Sequence, residues 1–525
     1  MNTTTTEDTS HNRPRRLVPI LRVAVFSVAA LATAVSLFYA EENWRGERAW
    51  AAHLKAMAAL GESLDLEALA PAPVPDDQNF AKTPVLEALA YQPKSSVVEP
   101  IAKLRDMGLA SGPMFPWSRG LSLDLQQWLA SLPAKVRAES VVPGLAPAAQ
   151  VRAVLKPLEP VMTELRAASH TRPQSLFRSI LTPNNRFDFP NFDGLYGLSQ
   201  LVGVYVSAEL AEGRTDQAFE DALVLHRLAA AIEADGTLLN VMVFEAICNG
   251  SEMQVFWDGW RDSRWTSAQY EAFQKRFGAS NGPIAYNRAL RRERAISNRV
   301  INADKPEIPW ANLGAHHRWP SAFIPHAWWR QNLIVSNLAM QQALANGFDE
   351  TPPRYRPAEV ARLEAQFKEL QESHSPFDRL AVIVMSNINT MAPRFANETN
   401  RISMAGVVCA LERCKAEQGE YPEKLETLLP KFAPTLPTDI YTGQPFHYRR
   451  TADGQFMLYS FGPNEKDDGG VKGDDWAWPA RSVPQVGPAH DDESRQNGLN
   501  TRERYQSEID RRRRLRAGAV QDQAQ

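Results

Sequence analysis

The hydrophobic pattern along the chain changes character three times. It begins with VAVFSVAALATAVSLFYA, residues 23–40, a run without a single charged side chain. As a helix rising 1.5 Å per residue, this run is long enough to nearly cross a bilayer. Arg13, Arg15, Arg16 and Arg22 precede it, and Glu41 and Glu42 follow it. The positive-inside rule then predicts a cytoplasmic stretch at 1–22, a single-pass transmembrane anchor at 23–40 and export of everything downstream. Ala32, Thr33 and Ala34 have the small-residue spacing of a signal-peptide cleavage site, but apolar sequence continues past them, which favours an anchor left in place.

The second pattern is helical. In residues 41–94, NWRGERAWAAHLKAMAALGESLDLEALA puts Trp50, Leu54, Met57 and Leu60 near one helix face, with a stop near Gly61. The proline-rich PAPVPDDQNFAKTP, residues 71–84, then predicts a structured linker. Residues 95–400 follow the 3.6-residue period with no convincing strand alternation, which predicts a large irregular helical body. Its clearest unit is a hairpin with Leu198, Leu201, Val202 and Tyr205 on one helix, Ala218, Ala222, Leu225 and Leu228 on the next, and Gly213 between them. The turn AELAEGRTDQAF resembles a tetratricopeptide hairpin, but no second copy recurs at a fixed period, so a bundle is expected and not a solenoid. Residues 329–346 and 357–372 read as helices, and 304–328 as a loop rich in tryptophan and proline.

The third pattern, at 401–480, adds strands. A helix stopped at Gly419 leads through a Tyr-Pro turn to a short helix with Leu425, Leu428 and Leu429. Phe446 and Tyr448, then Phe456 and Leu458, alternate with polar neighbours around an Ala452-Asp453-Gly454 turn, which predicts an antiparallel hairpin. GEYPEKLETLLP, LPTDIYTGQPFHYR, LYSFGPNEKDDGG and the later Asp474-Asp475-Trp476, in this order, resemble the C-terminal domain of the major pseudopilin of type II secretion systems. The resemblance implies a calcium ion held by Ser460, Asn464, Asp467, Asp468, Asp474 and Asp475. Calcium chemistry suits such a loop, because the ion takes six to eight oxygen ligands and would relieve the repulsion among the carboxylates. Residues 17–40 lack the processing glycine and phenylalanine-led helix of a pseudopilin, so a role in the envelope is expected ahead of assembly into a pseudopilus. The wider order, RGERAW, GESLDLEALAPAPVPDDQNFAKTP, helical body and cap, is similar to a group of bacterial membrane-anchored proteins. That similarity implies an inner-membrane anchor and a periplasmic body, and no activity.

Composition narrows the function classes. Among 525 residues, 58 Lys and Arg nearly balance 61 Asp and Glu, which gives no electrostatic footprint for nucleic acid. Cys248, Cys409 and Cys414 make no disulfide framework and read as small buried residues. Residues 481–525 are polar, with an arginine run at 511–514, and are expected to be a disordered charged tail. No nucleophile-elbow, zincin, Cys-x-x-Cys or Walker motif occurs. His316, His317 and His326 could meet at a transition metal, but no acidic residue or cysteine lies close by in sequence and they read as surface and packing histidines; Trp319, Phe323, Trp328 and Trp329 could plug a core edge or form an aromatic surface. Glu209, Glu212, Asp216, Glu220 and Asp221 crowd the hairpin turn and read as solvated charge. The expectation is a mainly α protein with a transmembrane helix, a helical body and a small α+β cap, acting without catalysis by binding envelope components. A secretion or pilus-related component and an envelope hydrolase with a scattered site are the alternatives.

Overall fold

The computed structural model describes residues 17–106, 115–140, 144–181, 187–279, 282–301, 325–372, 382, 391–470 and 475–478. Arg13, Arg15, Arg16, the tail at 481–525 and most of the 304–328 loop, with His316, His317, Trp319 and Phe323, lie outside these residues.

The chain is mainly helical, with one long apolar helix at its start and small antiparallel sheets. Helix α1, Leu17–Ala59, joins the apolar run and the juxtamembrane stretch in one rod. Pro19 falls in its first turn, where a missing N–H is harmless. Leu21, Val25, Phe26, Leu31 and Leu37 each leave at least 60 % of their surface uncovered, so no part of the described protein shields this stretch.

The body begins with α2 (Pro84–Tyr91), α3 (Glu99–Asp106), α4 (Leu125–Ser131), α5 (Ala134–Ser140), α6 (Pro147–Val154) and α7 (Glu159–Thr171). Proline opens α2 and α6, where its fixed φ fits the first helical position. These helices pack around the expected hairpin, α8 (Phe192–Ala211) and α9 (Thr215–Glu233), whose turn requires Gly213 at φ +77°. The eight apolar residues assigned to this hairpin from the sequence are all buried.

Next, α10 (Leu238–Ile247) passes through a π-helical turn, Cys248–Glu252, into α11 (Met253–Arg261). A Cβ on Gly203 of α8 would lie 2.7 Å from the Ser251 Cβ, so the glycine is what lets α8 approach this turn. Helices α12 (Ser267–Ala279), α13 (Gly282–Ile301), α14 (His326–Asn346), α15 (Pro357–Glu372) and α16 (Ala392–Gln418) complete the body. Against the all-helical expectation for 95–400, two small hairpins interrupt it: β1 (Ile180–Leu181) with β2 (Phe187–Asp188), and β3 (Phe348–Glu350) with β4 (Pro353–Tyr355). Strands of two or three residues are too short to show alternation.

The cap follows the expected order. Helix α16 ends at Gly419, φ +86°, and β5 (His447–Arg450) pairs with β6 (Phe456–Ser460), setting Tyr448 opposite Leu458. A third strand, β7 (Trp476–Ala477), adds antiparallel to β6. Helix α16 crosses residue 400 without a break, and one hydrophobic core runs from Phe80 through α8–α12 to Leu458 and Trp478.

Tryptophans close the seam between cap and body. The Trp478 ring lies 5.9 Å from Trp117, 6.1 Å from Trp257 and 5.9 Å from Trp260. The Arg401 guanidinium stands 5.1 Å over Trp476 and 5.7 Å over Trp117. Beneath them the Trp260 Nε1–H and the Tyr421 hydroxyl both donate to Glu412 Oε1 at 2.7 Å. Such rings bury large area and add pair energy beyond it. Trp478→Ala should therefore destabilise the whole chain by about 3–5 kcal/mol, read as a lower denaturation midpoint. A midpoint within experimental error of the parent would show that the seam does not hold the cap.

Candidate functional site

The cap is organised from one buried carboxylate. Asp439 is 1 % exposed, and its Oδ1 accepts from the Asn400 Nδ2 at 2.9 Å and the Tyr441 N–H at 3.0 Å, its Oδ2 from the Phe461 N–H at 3.1 Å. Asn400, on α16, also donates to Ser460 Oγ at 2.9 Å and accepts from the Ile440 N–H at 2.8 Å. A buried carboxylate is tolerable only when its lone pairs are met, and these donors come from the helix, the 439–441 turn and the end of β6. Sequence reasoning quoted this segment but assigned Asp439 and Asn400 no role. The available signal was an aspartate between a proline-rich segment and two large apolar residues, Ile440 and Tyr441.

This network explains where the predicted calcium ligands lie. Ser460 is fully buried; besides Asn400 it accepts from the Gly462 N–H at 3.1 Å, so it belongs to the junction beneath the loop. Above it, Asn464 accepts from the Lys466 N–H at 2.9 Å and donates to Asp468 Oδ2 at 3.2 Å. Asp467 Oδ1 accepts from the Gly469 N–H at 2.9 Å and the Tyr459 hydroxyl at 3.1 Å. Asp475 Oδ2 accepts from the Asp468 N–H at 2.9 Å and the Gly470 N–H at 2.8 Å, which closes the loop across its base. Gly470 is doubly required: its φ is +70°, and a Cβ there would sit 2.8 Å from the Tyr459 ring. Asp474 lies outside the described residues. The structure thus gathers Asp467, Asp468 and Asp475 into one loop whose N–H groups already hold part of their charge. Among the described residues, Asp475 Oδ1 is buried with no hydrogen-bond partner. Among the described residues no group of three His, Cys, Asp or Glu side chains stands in metal-holding geometry.

Chemistry elsewhere is enclosed. His226 Nδ1 lies 3.4 Å from Glu252 Oε1 in the π turn, and Arg276 pairs with the same oxygen. Burial first, then the Arg276 and Arg227 charges, hold His226 well below its ordinary range, and burial pushes the neighbouring Cys248 thiol up. The void beside them is about 10 Å³, enough for roughly one water. Among the described residues, Glu252 Oε2 and the Arg276 Nε and Nη1 have no partner, so a water can bridge them, but no substrate fits. His326 opens α14, and Trp328 and Trp329 pack with Trp50, Ile301 and Leu333.

The hairpin acids divide. Glu209 and Asp221 are buried, contrary to their assignment as solvated charge, while Glu212, Asp216 and Glu220 stay at least partly exposed. Arg166 grips Asp221 through two bonds of 2.5 and 2.7 Å, and Arg214 meets Glu209 at 2.7 Å. Burial, then the Asp221 charge, push the Glu209 carboxyl up to about 8. The native chain therefore keeps a proton that the unfolded chain sheds above the ordinary 4.5, so stability falls as pH rises from 4.5 towards 8 and levels off beyond. Glu209→Gln should remove that decline, on the order of 2–4 kcal/mol between about pH 5 and about pH 9, in urea midpoints. An unchanged pH slope would place the proton elsewhere.

Compared with known protein families, curated proteins and solved structures, the chain matches none.

Proposed function

We propose that this is a non-enzymatic, single-pass membrane protein of a bacterial envelope, whose periplasmic helical body and pseudopilin-like cap bind other envelope components. The observation that carries the reading is α1. One helix leaves its first half uncovered and apolar and packs one stripe of its second half, Gly46, His53 and Met57, against the body, as an anchor continuous with a stalk would. The arginines before the apolar run give the orientation. The binding role is supported over a hydrolase because the converging His226, Glu252 and Arg276 surround a void of about one water. The succession of helix, hairpin and acidic loop supports kinship with a secretion or pilus component, but anchoring explains α1 without assembly into a filament.

In cells, the chain should resist alkaline carbonate extraction, and protease added to spheroplasts should digest the body while sparing an epitope placed before Arg13. Release by carbonate, or loss of that epitope in intact spheroplasts, would overturn the reading.

A second reading concerns the cap loop: it takes up calcium through Asp467, Asp468 and Asp475. The buried, unpartnered Asp475 Oδ1 favours it, because a cation would supply the partner that atom lacks. Calcium would add charge compensation and stiffen the loop. Millimolar calcium should raise the melting temperature of the full chain by about 3 °C or more over chelator, and Asp475→Asn should abolish the rise. Equal melting temperatures with calcium and with chelator would refute it.

A further inference from the structure

Between α12, α16 and the proline-rich segment 430–438 lies an open groove of about 840 Å³, within the range of ligand sites. Its floor is one face of α16, formed by Thr399, Ser403, Gly406, Val407, Ala410 and Arg413. At helical rise that floor is about 21 Å long. Segment 430–438 forms one wall, with Pro430, Pro434, Leu436 and Pro437, and α12 forms the other, with Phe277 and Gly278.

The glycines at this surface are informative. Gly278 and Gly406 both sit in helices, and neither has a positive φ. A Cβ on Gly278 would meet nothing within 4 Å, and one on Gly406 only the Phe277 Cβ at 3.8 Å. Backbone conformation and internal packing thus leave both glycines unexplained, although glycine weakens a helix interior relative to alanine. Elsewhere in the body a helical glycine is explained by its neighbour, as Gly203 is by Ser251. Bare backbone at a groove floor is what a closely approaching chain needs.

The groove is also graded in charge. One end holds Arg413, Lys275 and Lys431 against a single lining acid, Glu271, which pairs with Arg413 at 3.1 Å; Lys431 pairs with Glu417 outside the groove. Lys275 is exposed on α12 beside them. The other end, with Thr399, Pro283 and Pro353, is neutral. The hydroxyls of Ser403 on the floor and of Thr435 and Thr438 on the wall can meet peptide N–H and C=O groups, while Gln274 is held by Phe432 and Arg413. A hydrocarbon chain would leave those groups unpaired.

We propose that this groove binds an extended segment of a partner polypeptide, about six residues at strand rise, with small apolar side chains and a carboxylate at the Arg413–Lys275 end. The proposal deepens the binding role given above, and anchoring is tested separately, so either can fail without the other.

The test uses the full chain in nanodiscs and a phage library of random hexapeptides. Enriched peptides should be apolar with an acidic end. By fluorescence polarisation, the strongest labelled hexapeptide should bind at least about tenfold more weakly to Gly406→Phe, which fills the floor, and to Lys275→Glu, a surface change that leaves the core intact. Gly406→Ala should fold like the parent. The proposal is overturned by no enrichment over empty nanodiscs, by affinity unchanged in Lys275→Glu, or by full displacement of the peptide with dodecanoate, which would assign the groove to a lipid chain.

Discussion

The join between cap and body depends on α16, which is covered on nearly every side. Met404, Ala405, Val407, Val408, Cys409, Ala410, Leu411 and Cys414 are all buried, on successive positions that circle the helix. Part of that circle packs on α12 and part on the cap strands. A helix apolar on nearly every side has no stable exposed state, so body and cap must condense around it together. Asn400 fixes the register: it reaches Asp439 and Ser460 only when helix, turn and β6 are in place. The Trp478 seam then closes over the result. The groove floor is the exception on this helix, a strip where Ser403 and Gly406 are only half-buried and small side chains leave the helix partly uncovered.

The same logic operates where α1 meets the body. A Cβ on Gly46 would lie 2.6 Å from the Ala327 Cα, so α1 and α14 touch backbone to backbone there. Asn43 accepts from the Ala327 N–H at 3.2 Å, and farther along the Asn337 Nδ2 contacts His53 Nε2 at 3.2 Å and Asn298 Oδ1 at 3.0 Å. Arg294 reaches Glu62 at 2.5 Å just beyond the end of α1. Close contact at one end and buried polar pairs along the rest leave one register for the rod.

Much of this was legible in the sequence wherever one periodicity ran long enough. The apolar run of α1, the α8–α9 hairpin with its Gly213 turn, the helices at 329–346 and 357–372 and the β5–β6 pairing all follow from local pattern and turn chemistry. What escaped has a common cause. Burial of Asp221 depends on Arg166, which is 55 positions from it in sequence and reaches it only after α7 docks on α9. Strand β7 is two residues long, and Trp476 and the following Trp478 find their partners near residue 117 and on α11. The π turn differs from an α turn by one residue, which apolar periodicity does not register. Of the predicted metal ligands, Asp467, Asp468 and Asp475 share a loop because they are close in sequence. Ser460 was drawn away by Asn400, sixty positions earlier, which no local pattern reveals.

The buried ion pairs explain how an irregular bundle without repeats settles on one arrangement. Arg292 meets Asp235 at 3.0 Å with both side chains almost wholly covered, and Arg166 and Arg294 hold Asp221 and Glu62 in the same manner. Pairs of this kind contribute little net stability, because desolvation offsets most of the attraction. Breaking one, however, strands a charge in the core, so every packing that misaligns these helices is penalised by several kcal/mol. Apolar faces alone would let α1, α7, α9 and α13 slide against one another, since Leu, Val and Ala interchange with modest loss. Charge pairs at separate contacts remove that freedom.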